Sequence, residues 1–352
     1  MPITFPDLNA LLTHGFDTVI DVRSPAEFAQ DHIPGAINLP ALDNAQRAEV
    51  GTIYKQISPF DARKIGAGMV IRNVANHIDG PLSDKDGSWR PLVYCWRGGQ
   101  RSGVFGTLLS EIGWRAQTIQ GGYQSFRRLV HRSLYDIDLN HKLTLLDGYT
   151  GTAKTAILPR LKARGLQVLD LEKHANHRGS LLGACPGGQP AQKSFETALA
   201  VALNALDPTR PVIVEAESSK IGRLVLPPML WAAMIGAPRI ILDAPLDARA
   251  AYLAGAYHDV IADPDSLAER LKPLRHLRGH AAVDHWISLS TEGELLRLSR
   301  ALAEEHYDPA YHKARHAKPR DVLARITVPS LDDAGQEQAA DVIAAKVQHA
   351  CT

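Results

Sequence analysis

The sequence has few cysteines and no long apolar run, and each shortage excludes a class of protein. Its three cysteines, Cys95, Cys185 and Cys351, are odd in number and far apart. This spacing argues against a disulfide framework and indicates a reducing compartment. The most apolar stretch, 230–242, contains a proline and an arginine and is too short to span a bilayer. Because the N-terminal residues also lack a secretory signal, we expect a cytoplasmic protein without a membrane segment.

Net charge is also nearly absent. Lysine and arginine number 39, aspartate and glutamate 38, which leaves +1 for 352 residues. No global field therefore attracts nucleic acid, and any contact with RNA must come from a local patch. The composition is that of a globular protein and the length suits two domains.

Segments typical of strands and of helices alternate along the whole chain, which predicts α/β domains with parallel sheets. We expect Ser24 to cap a helix that has Pro25 at its first position. The predicted domains are 1–122, a basic helical bridge 123–140, and 141–352 with a helical C-terminal region. The predicted strands are 18–21, 92–94, 116–119, 143–147, 168–171, 212–215, 240–242 and 325–328. The predicted helices include 102–112, 192–206 and 334–349, with 266–318 mostly helical.

A cysteine stands between a predicted strand and a predicted helix. Backbone N–H groups and the positive end of the helix dipole converge there, so they stabilise the thiolate of Cys95. Arg101 is placed to bind an oxyanion with two hydrogen bonds. Both residues are candidate catalytic residues, and the alternative is a buried cysteine in a turn. The other candidate residues of this loop are Trp96, Arg97, Gly98, Gly99, Gln100 and Ser102.

Two further segments, DVRSPAEF at 21–28 and HIPGAINLP at 32–40, resemble the signature of rhodanese-like domains. The resemblance covers about residues 5–130 and implies that Cys95 carries sulfur or selenium. The arginine stands six positions after the cysteine, one more than in many sulfurtransferases and the same as in cysteine phosphatases. The longer loop favours a tetrahedral donor of phosphate size.

The predicted strand 143–147 leads into Gly148-Tyr149-Thr150-Gly151-Thr152-Ala153-Lys154-Thr155, a P-loop pattern with alanine in place of the glycine before lysine. In such a loop the amides surround phosphate, the lysine supplies charge and the threonine can bind Mg²⁺. If Ala153 has a positive φ, it costs about 1 kcal/mol. The alternative is an ordinary glycine-rich turn. The candidate phosphate-binding residues are Gly148, Thr150, Gly151, Thr152, Ala153, Lys154 and Thr155.

Acidic and basic side chains follow two other strands of this half. Glu215 and Glu217 stand where a carboxylate would position Mg²⁺ or water, although a solvated strand end has the same pattern. His177 and Arg178 lie between glycine-rich turns and are candidate anion contacts, with a surface loop as the alternative. His174 and His177 lack a third ligand, so we predict that they bind no zinc.

The order of these motifs resembles that of the tRNA 2-selenouridine synthases, over nearly the whole chain. Members of that family replace sulfur by selenium at C2 of the wobble uridine. The resemblance implies two co-substrates, selenophosphate and geranyl diphosphate, and no tightly bound cofactor apart from an optional Mg²⁺. Cys95 would then be the nucleophile that carries selenium, and the phosphate loop would bind pyrophosphate without hydrolysing it.

The partner that the resemblance implies is the anticodon region of a tRNA. Trp96 is a candidate for stacking on the wobble base, with domain packing as the alternative. Arg127, Arg128 and Arg132 are the main candidates for backbone contacts, although solvated helix faces look the same. Further candidates are Lys142, Arg275, Arg278, His312, Lys313, Arg315, His316, Lys318 and Arg320.

Two rival functions remain from the sequence. The chain would be a sulfurtransferase or a C-x5-R phosphatase with a fused nucleotide-binding domain if RNA were not its substrate. Tyr94 stands where phosphatases have histidine, which counts against the second of these. Alternatively, the chain would be a binding module, but such a scaffold has no use for a thiol with a low pKa.

Overall fold

The computed structural model describes residues 2–180, 182–256, 263–315 and 321–349. The chain divides into two compact units, Met1–Ile137 with Ala191–Ala200, and Asp138–Pro190 with Val201–Thr352. Each unit contains a parallel sheet, which confirms the predicted α/β class. None of the described helices is both long enough and apolar enough to cross a membrane.

The first unit is built on a four-stranded parallel sheet in the order β2-β1-β3-β4. The strands are β1 Thr18–Asp21, β2 Ile37–Asn38, β3 Pro91–Tyr94 and β4 Gln117–Thr118. The helices are α1 Leu8–Leu12, α2 Pro25–Gln30, α3 Asn44–Gln56, α4 Pro59–Asp79, α5 Gln100–Glu111 and α6 Gly122–His131. The central residues of β1 and β3 are apolar and buried, as is typical of the strands of a parallel sheet.

The start of α2 agrees with the sequence analysis. Ser24 is the N-cap and Pro25 the first helical residue, and the Glu27 carboxylate accepts a hydrogen bond of 3.1 Å from the Ser24 amide. The helix predicted at 123–140 is shorter than expected. A π-helical turn, Arg132–Asp136, follows α6, and Ile137 is extended, so the helix ends before residue 137. Residues up to Ile137 pack within the first unit.

The helical pair α3–α4 was not predicted. None of the thirteen residues of α3, all of which the structure describes, is buried, so the helix lacks the apolar periodicity by which helices are recognised. The pair is held by close packing: a Cβ atom at Gly66 of α4 would lie 3.3 Å from a methyl group of Val50.

The second unit has a five-stranded parallel sheet in the order β11-β10-β5-β7-β6 and a two-stranded antiparallel ribbon β8-β9. The strands are β5 Lys142–Gly148, β6 Gln167–Leu169, β7 Pro211–Glu215, β8 Lys220–Ile221, β9 Leu224–Val225, β10 Arg239–Asp243 and β11 Val322–Thr327. The helices are α7 Lys154–Ala163, α8 Leu171–Ala175, α10 Pro228–Gly236, α11 Leu246–Ala256, α12 Pro264–Leu271, α13 Arg275–Arg278, α14 His280–Thr291, α15 Leu295–Ala301, α16 Asp308–Arg315 and α17 Asp333–His349. Helix α9, Gln192–Asn204, belongs to the first unit as far as Ala200 and to the second unit from Val201.

The strand predicted at 168–171 ends earlier than expected. The Asp170 carboxylate accepts a hydrogen bond from the Lys173 amide at 2.8 Å and thereby caps α8. Residues 266–318 were predicted to be mostly helical, and the described part of that range, 266–315, is mainly helical. Strands β5, β6 and β7 are parallel, so their carboxyl ends lie at one edge of the sheet, where ligands of such folds bind.

Candidate active sites

The thiol of Cys95 lies at the carboxyl end of β3 and is buried. Its sulfur accepts hydrogen bonds from the Gly99 amide at 3.3 Å and from the Ser102 hydroxyl at 3.2 Å. Burial alone raises the pKa of the thiol, but hydrogen bonds from Ser102 and Gly99 and the charge of Arg101 lower it by more. The pKa of Cys95 is therefore lowered, as the reactivity of a nucleophilic thiol requires.

The loop owes its shape to glycines that approach backbone closely. Gly98 has φ +65°, and a Cβ atom there would lie 2.6 Å from the Ile119 carbonyl oxygen. The first amides of α6 then hold the loop, since Tyr123 N–H donates to the Cys95 carbonyl at 2.8 Å. The N-terminus of α6 thus supports the loop through a backbone hydrogen bond.

Arg101 does not point freely into solvent. Its guanidinium donates to the Glu27 carboxylate at 3.0 Å, and both side chains are about four-fifths buried, with 18% and 22% exposed. Burial raises the pKa of Glu27, but the Arg101 hydrogen bond and charge lower it below its usual range. The ion pair keeps the guanidinium beside the thiol, where it is available to an incoming anion.

Aromatic rings and cations surround Trp96 next to the cysteine. The Trp96 ring lies 5.1 Å from that of Tyr123, and Lys193 Nζ lies 5.7 Å from the Trp96 ring. Arg23, which is buried and paired with Asp21, stacks over Tyr123 at 4.0 Å. These neighbours of Trp96 were not predicted as site residues. Lys193 gave no local signal because it lies almost 100 residues from Trp96 along the chain.

The remaining predicted site residues of the first unit differ in exposure and in whether their side chains already have a partner. Arg97 and Gln100 are exposed, the latter at the start of α5. Arg127 forms an ion pair with Glu196, which neutralises its charge. Arg128 donates to the Ser125 hydroxyl at 2.8 Å, whereas Arg132 is exposed after the end of α6. The candidates His316, Lys318 and Arg320 lie outside the described residues.

In the second unit, the predicted phosphate loop connects β5 to α7. Ala153 is the N-cap of α7 with φ 58°, so alanine occupies the left-handed conformation that favours glycine. The cost is about 1 kcal/mol. Lys154 Nζ donates to the Gly148 carbonyl at 2.9 Å, which places its ammonium over the loop.

Carboxyl groups lie beneath this loop. The Thr155 hydroxyl lies 2.7 Å from Glu172 Oε2 and 2.8 Å from Glu215 Oε1. Burial and the charge of Glu217 raise the pKa of Glu172 to about 7. Burial and the charge of Glu172 raise the pKa of Glu215 well above its usual range. At neutral pH Glu172 and Glu215 together therefore carry less negative charge than two ionised carboxylates would. An anion can then bind nearby with less repulsion.

A cavity of about 870 Å³ opens over the loop and is lined by both polar and apolar side chains. The size is that of a small-molecule pocket. Its polar lining includes Thr150, Gly151, Thr152, Lys154, Thr155, Glu172, Arg178 and Glu217. Its apolar and aromatic lining includes Ala153, Trp231, Tyr252, Leu253, Ala256, Tyr307, Ala310 and Tyr311.

The structure thus brings Arg178 and Glu217 to the cavity together with the loop. His177 is not in the lining, and its Nδ1 accepts a hydrogen bond from the Gly179 amide at 3.2 Å. Within the described ranges, no group of three His, Cys, Asp or Glu side chains is arranged to hold a metal ion. Glu172 was missed as a site residue, although it follows a strand end as Glu217 does.

Two family models match the chain. One, described as the tRNA 2-selenouridine synthase AAA domain, matches residues 141–271, and the rhodanese-like domain matches residues 4–129. A tRNA 2-selenouridine synthase from Nitrosomonas europaea is 36% identical over 77% of this chain and 70% of its own length. The chain belongs to the tRNA 2-selenouridine synthase family. The predicted resemblance to this family is confirmed, as are the rhodanese-like and P-loop-like assignments.

Other members of the family match to different extents. The relative from Aeromonas salmonicida is 37% identical over 69% of this chain, and the match spans only 65% of the relative's length. The relative from Verminephrobacter eiseniae is 31% identical over 89% of this chain and 93% of its own length.

The hydrogen bond from Ser102 gives a test of the thiolate environment. In Ser102→Ala we expect the Cys95 thiol to titrate at higher pH, because a bond that stabilises the anion is lost. The measurement is the ultraviolet absorbance of the thiolate against pH, with Cys95→Ala as the blank. Ser110→Ala is the matched control, since that hydroxyl donates to Gly106 on the same helix. An unchanged Ser102→Ala titration would show that the hydroxyl does not stabilise the thiolate.

Proposed function

We propose that the protein is a transferase that replaces sulfur by selenium at C2 of wobble 2-thiouridine in tRNA. Family membership supports the reaction class. The observation that carries the proposal is the cavity of the second unit, which is lined both by the phosphate loop and by apolar and aromatic side chains. A diphosphate ester of an apolar chain has the same two parts, and geranyl diphosphate is such a molecule.

In the first step, the diphosphate binds the loop amides and Lys154, and the geranyl chain packs against Trp231, Tyr252 and Leu253. The C2 sulfur attacks C1 of the geranyl group, a carbon–sulfur bond forms, and the carbon–oxygen bond to pyrophosphate breaks. The N3 proton of the uracil ring is released. Lys154 stabilises the charge that grows on the leaving pyrophosphate, which is where a fixed cation accelerates the reaction most.

The second step replaces the geranyl thiolate by selenium. Transfer of selenium from selenophosphate to a thiol, with release of phosphate, would oxidise selenium and require an electron acceptor. A balanced route needs none: selenophosphate attacks C2 through selenium and expels geranyl thiolate. The Cys95 thiolate then attacks phosphorus, the selenium–phosphorus bond breaks to leave 2-selenouridine, and water hydrolyses the phosphocysteine.

The first unit has the groups that this step needs. Cys95 is a thiol with a lowered pKa, and the Gly99 amide points at its sulfur. The Arg101 guanidinium is held beside the loop by Glu27, where it can bind the phosphate oxygens. The spacing of six positions between Cys95 and Arg101 suits such a tetrahedral anion.

Mg²⁺ is a further ligand that the second unit can accept. The Thr155 hydroxyl and the Glu215 carboxylate are oxygen donors of the kind that Mg²⁺ prefers, and pyrophosphate oxygens would supply other ligands. When bound, the ion would neutralise charge on the diphosphate.

The test is mass spectrometry of nucleosides from an anticodon stem-loop RNA that carries 2-thiouridine. The RNA is incubated with the protein, geranyl diphosphate and selenophosphate, with either co-substrate omitted in parallel. We expect 2-selenouridine only in the complete mixture and S-geranyl-2-thiouridine when selenophosphate is omitted. Unmodified RNA in every mixture, with turnover of thiosulfate or an aryl phosphate instead, would overturn the proposal.

A further inference from the structure

The helical pair α3–α4 exposes large side chains that contribute nothing to the core. At the turn between the helices, Tyr54 is 55% exposed, Ile57 74% and Phe60 66%. Exposed rings grouped at one point of a surface are typical of a binding site.

The same segment is positively charged although the chain as a whole is nearly neutral. Residues 54–72 contain four basic side chains and one acidic one, a net charge of +3 against +1 for all 352 residues. Lys64 pairs with Asp61 at 3.4 Å. In the part of the chain that the structure describes, Lys55, Arg63 and Arg72 form no ion pair, so their charges are available to a partner.

The pair also begins beside the Cys95 site. The Ala26 amide of α2 donates to Asn44 Oδ1 at 3.0 Å, which anchors the start of α3 next to the turn that carries Glu27. Arg47, in the first turns of α3, is close enough for its charge to act on Glu27, the partner of Arg101. From there the helix runs about 20 Å, at 1.5 Å per residue, to the aromatic turn.

We propose that the α3–α4 pair is the surface that binds the anticodon arm of the RNA substrate. The basic side chains contact the phosphates, and Tyr54 and Phe60 stack on unpaired bases, the combination by which proteins hold single-stranded RNA. Protein interfaces are also enriched in Tyr, Phe and Arg, so the choice of RNA rests on the net charge of +3, which attracts a polyanion. The inference rests on the proposed function for the identity of the RNA and adds the place where it binds.

The test measures binding of a fluorescently labelled anticodon stem-loop with wobble 2-thiouridine by anisotropy at several salt concentrations. For Tyr54→Ala/Phe60→Ala we expect Kd to rise about 30-fold or more, because two base stacks are lost. For Lys55→Gln/Arg63→Gln/Arg72→Gln we expect the slope of log Kd against log salt to fall by about two, since three phosphate contacts are lost.

The matched control is Ile112→Ala/Arg115→Gln, which removes an exposed apolar side chain and a cation at the far end of α5. We expect its Kd and salt slope to equal those of the wild type, and thermal unfolding shows that each variant is folded. Binding of geranyl diphosphate, measured by calorimetry, should be unchanged in all variants. If the folded α3–α4 variants bind and modify the RNA like the wild type, the proposed binding surface is wrong and the proposed function stands. If the wild-type protein neither binds nor modifies the RNA, both are wrong.

Discussion

Cys95→Ala is expected to abolish formation of 2-selenouridine, a loss of about 1,000-fold or more, as for the removal of other catalytic nucleophiles. Geranylation should continue at the wild-type rate, because the cavity of the second unit does not use the thiol. The measurement is mass spectrometry of the intact RNA in the complete mixture. If Cys95 attacks phosphorus, the variant should accumulate RNA with a phosphoselenyl group at C2. If Cys95 carried selenium instead, the RNA would stop at the geranylated stage and contain no selenium.

Cys185→Ala is the matched control for this substitution. The Cys185 thiol is half-buried and faces the Gly183 carbonyl at 3.6 Å, whereas the Cys95 sulfur accepts hydrogen bonds from an amide and a hydroxyl. We expect wild-type amounts of 2-selenouridine from this variant. Full activity of Cys95→Ala would contradict any nucleophilic role for the first unit.

The shape of both candidate anion-binding loops could be predicted from the sequence because each is a continuous strand, turn and helix. The order of residues in such a unit fixes where its amides point, so Cys95 and Lys154 were identified without knowledge of the sheets. Ala153 was predicted to be strained if its φ were positive, and its φ of 58° fulfils that condition. For these loops the local sequence was sufficient to predict the conformation.

The parts of the sites that come from distant segments were not predictable. Lys193 reaches Trp96 from a helix that follows far along the chain, and Trp231 reaches the phosphate-loop cavity from α10. A single sequence shows the type of such a residue but not its neighbours. Arg127 was predicted to contact RNA, but the fold pairs it with Glu196, which neutralises its charge. The sequence alone does not show this pairing.

The pair α3–α4 was missed for a different reason. A helix is recognised in a sequence by the apolar stripe that it buries, and no residue of α3 is buried. A helix without a fully buried residue is held by its cap, here the Asp43 carboxylate, and by Val50, which is partly buried against the core and α4. Because α3 has no buried stripe, it was not predicted, and for the same reason its surface is available to a partner.

Lys154→Ala is the second substitution with a large expected effect. The ammonium group lies over the phosphate loop, 2.9 Å from the Gly148 carbonyl, and a diphosphate would exchange that contact for a charged one. Loss of such a charge-assisted contact costs about 1.5–3 kcal/mol, a 10- to 150-fold rise in Kd for geranyl diphosphate. The rate of geranylation should fall further, because charge on the pyrophosphate grows as the carbon–oxygen bond breaks.

The matched control for this substitution is Lys162→Ala, which removes an exposed lysine from the last turn of the same helix. Calorimetry with geranyl diphosphate and rates of geranylation by mass spectrometry separate binding from catalysis. Lys154→Ala given RNA already geranylated should still form 2-selenouridine, since that step needs the Cys95 loop alone. If Lys154→Ala and Lys162→Ala bind geranyl diphosphate equally well, the phosphate loop does not hold the diphosphate. If the geranylated RNA is not converted, the two steps depend on one site rather than two.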